Sequence, residues 1–406
     1  MVRSLGSICS FASAALLLVA AIGCEKAADS KAGLPQTVTP TSSSSLETVN
    51  IPHTSVKWQS IGNCWAYAAL GWAESMIIRA PNLASPNFSE TYVTYRHYEL
   101  QLRDPYMQEL QTGGSFQEAA EIINRYGLVN EGDFIPGEAN LSKSDRQKTA
   151  TNYLNESLKT GPLSTSRSLD VIRSELDAAF GVNLEKIEDK IISASSLKVG
   201  VGRGETAPLD EVMNSWREIS WPISYNEYPY DGGEEPKPRW SGKLTEPQVR
   251  VMRRVMRAMN AKYPVVVNWF VDFRAMNQDG VFDLETLQQN KGTIRQGYHS
   301  TVLEDYIAEG IDPETRLPFV TPEGEASDKI KSLAVQNGTI KSLIVKNSWG
   351  GSERLDRPSY ARDGERGYHK LGVDYLLAFL PRFNDDSLEF EGYTTGVNSF
   401  IVPPGF

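Results

Sequence analysis

Only one cysteine, Cys64, lies in the part of this chain that can fold. The other two, Cys9 and Cys24, belong to an N-terminal stretch that ends before the globular sequence begins. A single thiol closes no intrachain disulfide, so the fold must be held by its buried core. With 406 residues, 40% of them hydrophobic and 23% charged, the chain has ample material for one large domain or two lobes. An unpaired thiol on this count is either a small buried hydrophobe or a reactive group. The net charge of −10, without any block of five or more basic residues, argues against nucleic-acid binding.

Residues 1–24, MVRSLGSICSFASAALLLVAAIGC, read as an export signal: Arg3 gives a positive start, Leu16 to Ile22 lie in an apolar run, and small residues precede Cys24. Ala21-Ile22-Gly23-Cys24 resembles the lipobox of bacterial lipoproteins, although Leu is usual where Ala21 stands. That resemblance implies lipidation of Cys24; the alternative is an uncleaved membrane anchor. Residues 25–50, rich in Ser, Thr, Ala and Pro, cannot bury enough surface to fold and read as a flexible tether. No later segment has 18 apolar residues in a row, so membrane attachment is expected through the N-terminal lipid only. Glu25 follows the cysteine instead of the Asp that retains such proteins at the inner membrane. The expected location is therefore the bacterial cell envelope, at the outer membrane where there is one.

The globular region is expected over 51–390, with a tail at 391–406. Gly62-Asn63 signals a turn, the Ala-rich run 64–79 favours a helix, and Pro81 cannot extend it, which places Cys64 at a helix N-terminus. Residues 115–126 predict an amphipathic helix stopped by Gly127, and Thr245 with Gln248 predicts a capping box for a helix over 246–261. Helical segments at 168–180 and 182–193 mark about 140–245 as an inserted, mainly helical subdomain. Strands are expected at 263–273, 300–307 and 341–349. Helices early and strands late give an α+β chain with two lobes.

A thiol attacks carbonyls as its thiolate and has an ordinary pKa of about 8.5. A helix N-terminus stabilises an anion by about 0.3–1 kcal/mol, less than the roughly 1.4 kcal/mol of one pKa unit. A nucleophilic Cys64 therefore needs an imidazole partner. The chain offers His53, His97, His299 and His369. His53 and His369 read as surface groups, His97 as helical packing or surface, and Trp65, Tyr67 and Trp72 as core. Arg253-Arg254 reads as a solvated helix face.

Val56-Lys57-Trp58-Gln59 followed by Gly62-Asn63-Cys64-Trp65-Ala66-Tyr67-Ala68 resembles the active-site segment of papain-like cysteine peptidases. Gly297-Tyr298-His299-Ser300 resembles their histidine segment, and Lys346-Asn347-Ser348-Trp349-Gly350 their Asn-Ser-Trp-Gly segment, in the same order. The resemblance implies a two-lobed papain-like α+β fold, with the nucleophile helix in a helical lobe and His and Asn in a β-rich lobe. It implies Cys64 as nucleophile, His299 as base and then acid, Asn347 orienting the imidazole, Trp349 shielding the His–Asn bond, and Gln59 donating to the oxyanion. Protonated His299 would hold Cys64 as a low-pKa thiolate. Gly113-Gly114 resembles the glycine pair that binds substrate backbone. Residues 113–136 resemble the bleomycin hydrolase branch, where the C-terminus lies in the cleft; a strand packed on the back of a lobe is the alternative for 390–406. No metal or organic cofactor is implied, and the partner is a peptide or protein substrate. The departures are Gln59 only five residues before Cys64, one closer than usual, and long insertions before and after His299. Two rival readings remain: an inactive papain-like peptide-binding lipoprotein, and a cysteine amidase acting on peptidoglycan peptides.

Overall fold

The computed structural model describes residues 51–80, 85–139, 141, 143–223, 236–321, 326–351, 357–362, 364–384 and 387–406. The export signal, Cys24 and the tether lie outside the described residues. None of the described helices is long and apolar enough to cross a membrane.

Helix α1 (Cys64–Ile78) is the axis of the helical lobe. Its Ala-rich sequence is buried on all sides, so it shows no polar stripe. Against it lie α2 (Glu90–Leu102) and α3 (Phe116–Tyr126), and α4 (Glu131–Phe134) packs on α2. The Ser115 side chain accepts from Glu118 N–H, and Gly127 ends α3 at φ 73°. Next come α5 (Arg146–Lys159), α6 (Pro162–Thr165) and α7 (Leu169–Phe180), then the hairpin β1 (Lys198–Gly202) and β2 (Glu205–Pro208), and α8 (Leu209–Ser215).

The second lobe is a nine-stranded sheet. Its strands are β3 (Arg217–Ser220), β4 (Val265–Asp272), β5 (Val281–Phe282), β6 (Gln296–Ile311), β7 (Pro318–Val320), β8 (Thr339–Lys346), β9 (Tyr360–Arg362), β10 (Glu365–Gly372) and β13 (Val397–Val402), and β11 (Phe379–Phe383) pairs separately with β12 (Phe390–Thr395). The main order is β3-β13-β4-β6-β8-β10-β5, with β7 on β6 and β9 on β10. Helices α9 (Glu246–Asn260), α10 (Leu284–Gln289), α11 (Asp328–Asn337) and α12 (Val373–Leu377) accompany the sheet. Gln248 Oε1 accepts from Thr245 N–H at the start of α9, as the capping box predicts.

Both faces of the sheet are covered. Val265 and Val267 enter the core shared with α9, whereas Val266, with Val302 and Ile401, packs into the core of α1. This is the period-two alternation of a strand between two apolar layers. It seats α1 directly against β6, the strand that carries His299.

Two expected boundaries are corrected. The 140–245 segment is not a separable helical insertion: α5 and α7 share one core with Tyr92, Tyr95 and Tyr98 of α2, 182–193 is a short 3₁₀ turn (Leu184–Lys190), and β3 joins the main sheet. Nor is 391–406 a tail. Its strand β13 lies between β3 and β4, and Phe400 and Ile401 enter opposite cores. That location excludes the cleft-occupying C-terminus and makes the last strand part of the fold.

At the junction of the lobes Lys57 is buried. Its ammonium donates to Phe88 O (2.9 Å) and to both oxygens of Glu90 (2.8 and 2.7 Å), with Glu131 3.7 Å away. Opposing carboxylates hold it charged and raise its pKa despite burial. Replacement by Met leaves Glu90 buried without its cation, a change that typically costs about 3–5 kcal/mol. Lys57→Met is expected to lower the unfolding free energy by that margin, read as a lower urea midpoint at unchanged m-value. A midpoint equal to wild type would show that the pair does not hold the lobes.

Candidate active site

Three segments meet at the site. Residues 57–59 run antiparallel to 348–350: Gln59 N–H donates to Ser348 O (2.9 Å) and Gly350 N–H to Lys57 O (3.1 Å). Trp58 bridges to Trp349. This pairing ties the arm leading into α1 to the arm leaving β8. On β6, His299 stands opposite Trp269 of β4.

His299 is buried, 6% exposed. Its Nε2 lies 2.7 Å from Asn347 Oδ1, and the Trp349 indole stacks on the imidazole with centroids 4.7 Å apart at 23°. Asn347 Oδ1 also accepts from Ser348 N–H (2.7 Å), and the Asn347 N–H donates to Gly367 O (3.2 Å). Gly367 holds φ 110°, and a Cβ there would come within 2.6 Å of Val56, so glycine is required.

Cys64 is the first residue of α1 and 9% exposed. The backbone amides of Ser300, Trp65 and Cys64 itself act to lower the thiol's pKa. Helix α1 packs against β6, the strand that carries His299. No hydrogen bond joins Sγ to the imidazole among the described residues; Nδ1 is the ring nitrogen that Asn347 leaves open.

The expected low-pKa thiolate is corrected here. Burial pushes the thiol up, more strongly than its three backbone N–H groups pull it down. Burial likewise lowers His299 to about 4, ahead of the opposing Asn347 hydrogen bond. Both shifts favour the neutral forms of the two groups.

Gln59 Oε1 accepts from Ser348 Oγ (2.5 Å), and its Nε2 donates to Ile61 O (2.8 Å). Gln59 and His299 line a cleft of about 450 Å³ with Trp58, Tyr298, Trp349 and Arg357. Cys64 is not among the residues that line it. Gly113 and Gly114 are not among the residues that line it; Gly114 packs on the Trp65 indole, which a Cβ would meet at 2.6 Å, while Gly113 is unobstructed. Lys143, Asp145 and Lys148 add charge to the wall, and Arg357 lies over the Trp349 ring, 5.1 Å from its centroid. No motif pointed to these four.

The surface readings of histidines need correction. His369 is 1% exposed on β10 and is hydrogen-bonded to Asn347, and His53 is half-buried 3.7 Å from Glu304. His97 is buried on α2, and Trp65, Tyr67 and Trp72 are core. Arg253 and Arg254 bond the carbonyls of Gln336 and Phe406. Among the described residues no cluster of His, Cys, Asp and Glu could hold a metal ion.

No protein-family model and no curated protein matches the chain. Solved structures similar to it include PepW from Lactobacillus rhamnosis (13% identity, 89% of this chain and 82% of that chain, TM-score 0.40). Xylellain, a cysteine protease from Xylella fastidiosa, aligns at 12% identity over 88% of this chain and 87% of its own, with TM-score 0.39. The bromelain protease from Ananas comosus aligns at 17% identity over 86% and 94%, with TM-score 0.33. At these identities and scores the similarities assign no role to any residue here.

A neutral thiol predicts how alkylation responds to pH. Iodoacetamide labelling of native protein at Cys64 is expected to be slow at pH 6 and to rise as pH increases beyond 8. A rate already at its plateau at pH 6 would show a preformed thiolate.

Proposed function

We propose that this chain is a papain-like cysteine peptidase, held at the bacterial cell envelope by a lipid on Cys24. The observation that carries the reading is the short His299–Asn347 hydrogen bond under the Trp349 indole, on β6, the strand against which the Cys64 helix α1 packs.

In this reading a peptide carbonyl enters beside Cys64. Sγ attacks the carbonyl carbon while His299 Nδ1 takes the thiol proton. The raised thiol and lowered imidazole make the transfer a step that substrate binding must drive, by excluding water and supplying the acceptor carbonyl. The developing oxyanion accepts from Cys64 N–H and from the second amide proton of Gln59, whose first is used by Ile61 O. His299 returns its proton to the leaving amine. Water, deprotonated by His299, then cleaves the thioester and frees Sγ. Asn347 keeps Nε2 occupied, so Nδ1 faces sulfur throughout. No step needs a metal or cofactor.

A panel of fluorogenic peptides and muropeptides tests the activity. Cleavage is expected, with Cys64→Ala abolishing it and Asn347→Ala lowering kcat by about 100-fold through loss of imidazole orientation. Cleavage of muropeptides alone would favour an amidase acting on peptidoglycan, and binding without cleavage a peptide-binding protein. Attachment is tested separately: labelled fatty acid should enter the full chain and not Cys24→Ser. Labelling of Cys24→Ser would remove the anchor from the proposal.

A further inference from the structure

We propose that His369 is a positioning residue that fixes the tautomer of His299 through the side chain of Asn347. The inference rests on the peptidase reading for its consequence in catalysis, and on geometry alone for the tautomer.

Three side chains form one line. His369 Nε2 lies 3.1 Å from Pro358 O, His369 Nδ1 lies 3.2 Å from Asn347 Nδ2, and Asn347 Oδ1 lies 2.7 Å from His299 Nε2. A carbonyl oxygen can only accept, so His369 must carry its proton on Nε2. In the neutral ring Nδ1 is then bare and can only accept. The group facing it must be the donor end of the Asn347 amide. The amide oxygen is thereby turned to His299, where it also receives Ser348 N–H. An oxygen at that position requires His299 to carry its proton on Nε2. The remaining lone pair is on Nδ1, the nitrogen that a thiol proton would need. Pro358 O thus sets the proton positions of two histidines.

The alternatives are closed by the surroundings. Burial lowers His369 to about 3, so it stays neutral and its Nδ1 stays an acceptor. The groups facing it are apolar or positive: Phe282 and Trp349 ring edges, the His299 ring and Arg357. Among the described residues named against it, none is a carboxylate that could hold a second proton. Ser348 N–H favours the same amide orientation, but without His369 it leaves Nδ2 with no acceptor, so the oxygen is no longer held toward His299 from both ends.

Conservative variants separate positioning from packing. Asn at 369 places an oxygen where Nδ1 stands and keeps the acceptor for Asn347. Gln reaches Pro358 and lacks that acceptor, and Leu has neither. Ring nitrogen spectra of histidine-labelled protein in a Cys64→Ala background report the His299 tautomer without any turnover. The expected signature is Nε2–H with His369 present or replaced by Asn, and loss of that single form in His369→Gln and His369→Leu. With Cys64 intact, His369→Gln and His369→Leu should lose up to about 100-fold in kcat at nearly constant KM, and His369→Asn should recover most of it. An Nδ1–H ring at His299 with His369 present overturns the inference, even if the Leu variant does not fold. So does equal impairment of the Asn and Gln variants with Nε2–H intact, which marks packing only. A chain that cleaves no peptide or muropeptide overturns the peptidase reading instead, and the spectra still decide the tautomer.

Discussion

The site depends on a buried ammonium. Cys64 and Asn347 are far apart in sequence, and the groups that bring their segments together centre on Lys57. It bonds Phe88 O and Glu90 on one side, while its own carbonyl accepts from Gly350 N–H on the other. Glu74, on α1, accepts from Phe88 N–H and from Thr54, and Thr54 also accepts from Lys346, the residue before Asn347. A buried ion pair often contributes little net stability over an apolar replacement, because desolvation offsets attraction. What it enforces is position: a displaced lobe would strand a charge. A reaction that loses about a hundredfold for a 1 Å misplacement needs that kind of constraint more than it needs added stability.

The same burial sets the protonation of the pair. Trp349 covers His299, Phe273 lies against Trp349 with ring centroids 5.0 Å apart, and Arg357 sits over both of these aromatic rings. An imidazole in that enclosure loses more hydration on protonation than Asn347 can return. The Arg357 charge adds to the penalty. The thiol suffers the mirror image, and the Ser300 N–H reduces its cost without cancelling it. Helix position alone therefore misjudges Cys64: the helix N-terminus gives less than one pKa unit, and desolvation overrides it.

Signals carried by neighbours in sequence were legible. The turn at Gly62-Asn63 and the Ala-rich run after it mark the start of α1, and Ser115, Gly127 and the Thr245–Gln248 pair mark helix ends through local hydrogen bonds. The order of Gln59, Cys64, His299 and Asn347 was readable from motifs. His369 was not. It lies in a strand where Gly367, Tyr368 and His369 are buried in succession, so no alternation distinguishes an inward polar group from an outward one. The last strand was equally hidden, since its partners, β3 and β4, pair with it from distant parts of the sequence. Segment 140–245 was misread because its helices resemble an independent unit; only the shared tyrosines of α2 reveal a common core.

Gln59 shows how a shortened spacing can be absorbed. One residue fewer before Cys64 leaves little slack in the loop, and the Gln59 side chain spans it. Its oxygen is held by Ser348 Oγ and one amide proton by Ile61 O. Its backbone N–H is fixed to Ser348 O as well. Ser348 thus touches both the orienting amide, through its N–H to Asn347 Oδ1, and Gln59, through its hydroxyl and carbonyl. The donor proposed for the oxyanion and the acceptor for the imidazole are positioned by one residue. A shift of the Asn347 arm would move both together, so their relative geometry survives small movements between the lobes, and the distance from either to Cys64 is what the Lys57 junction must hold.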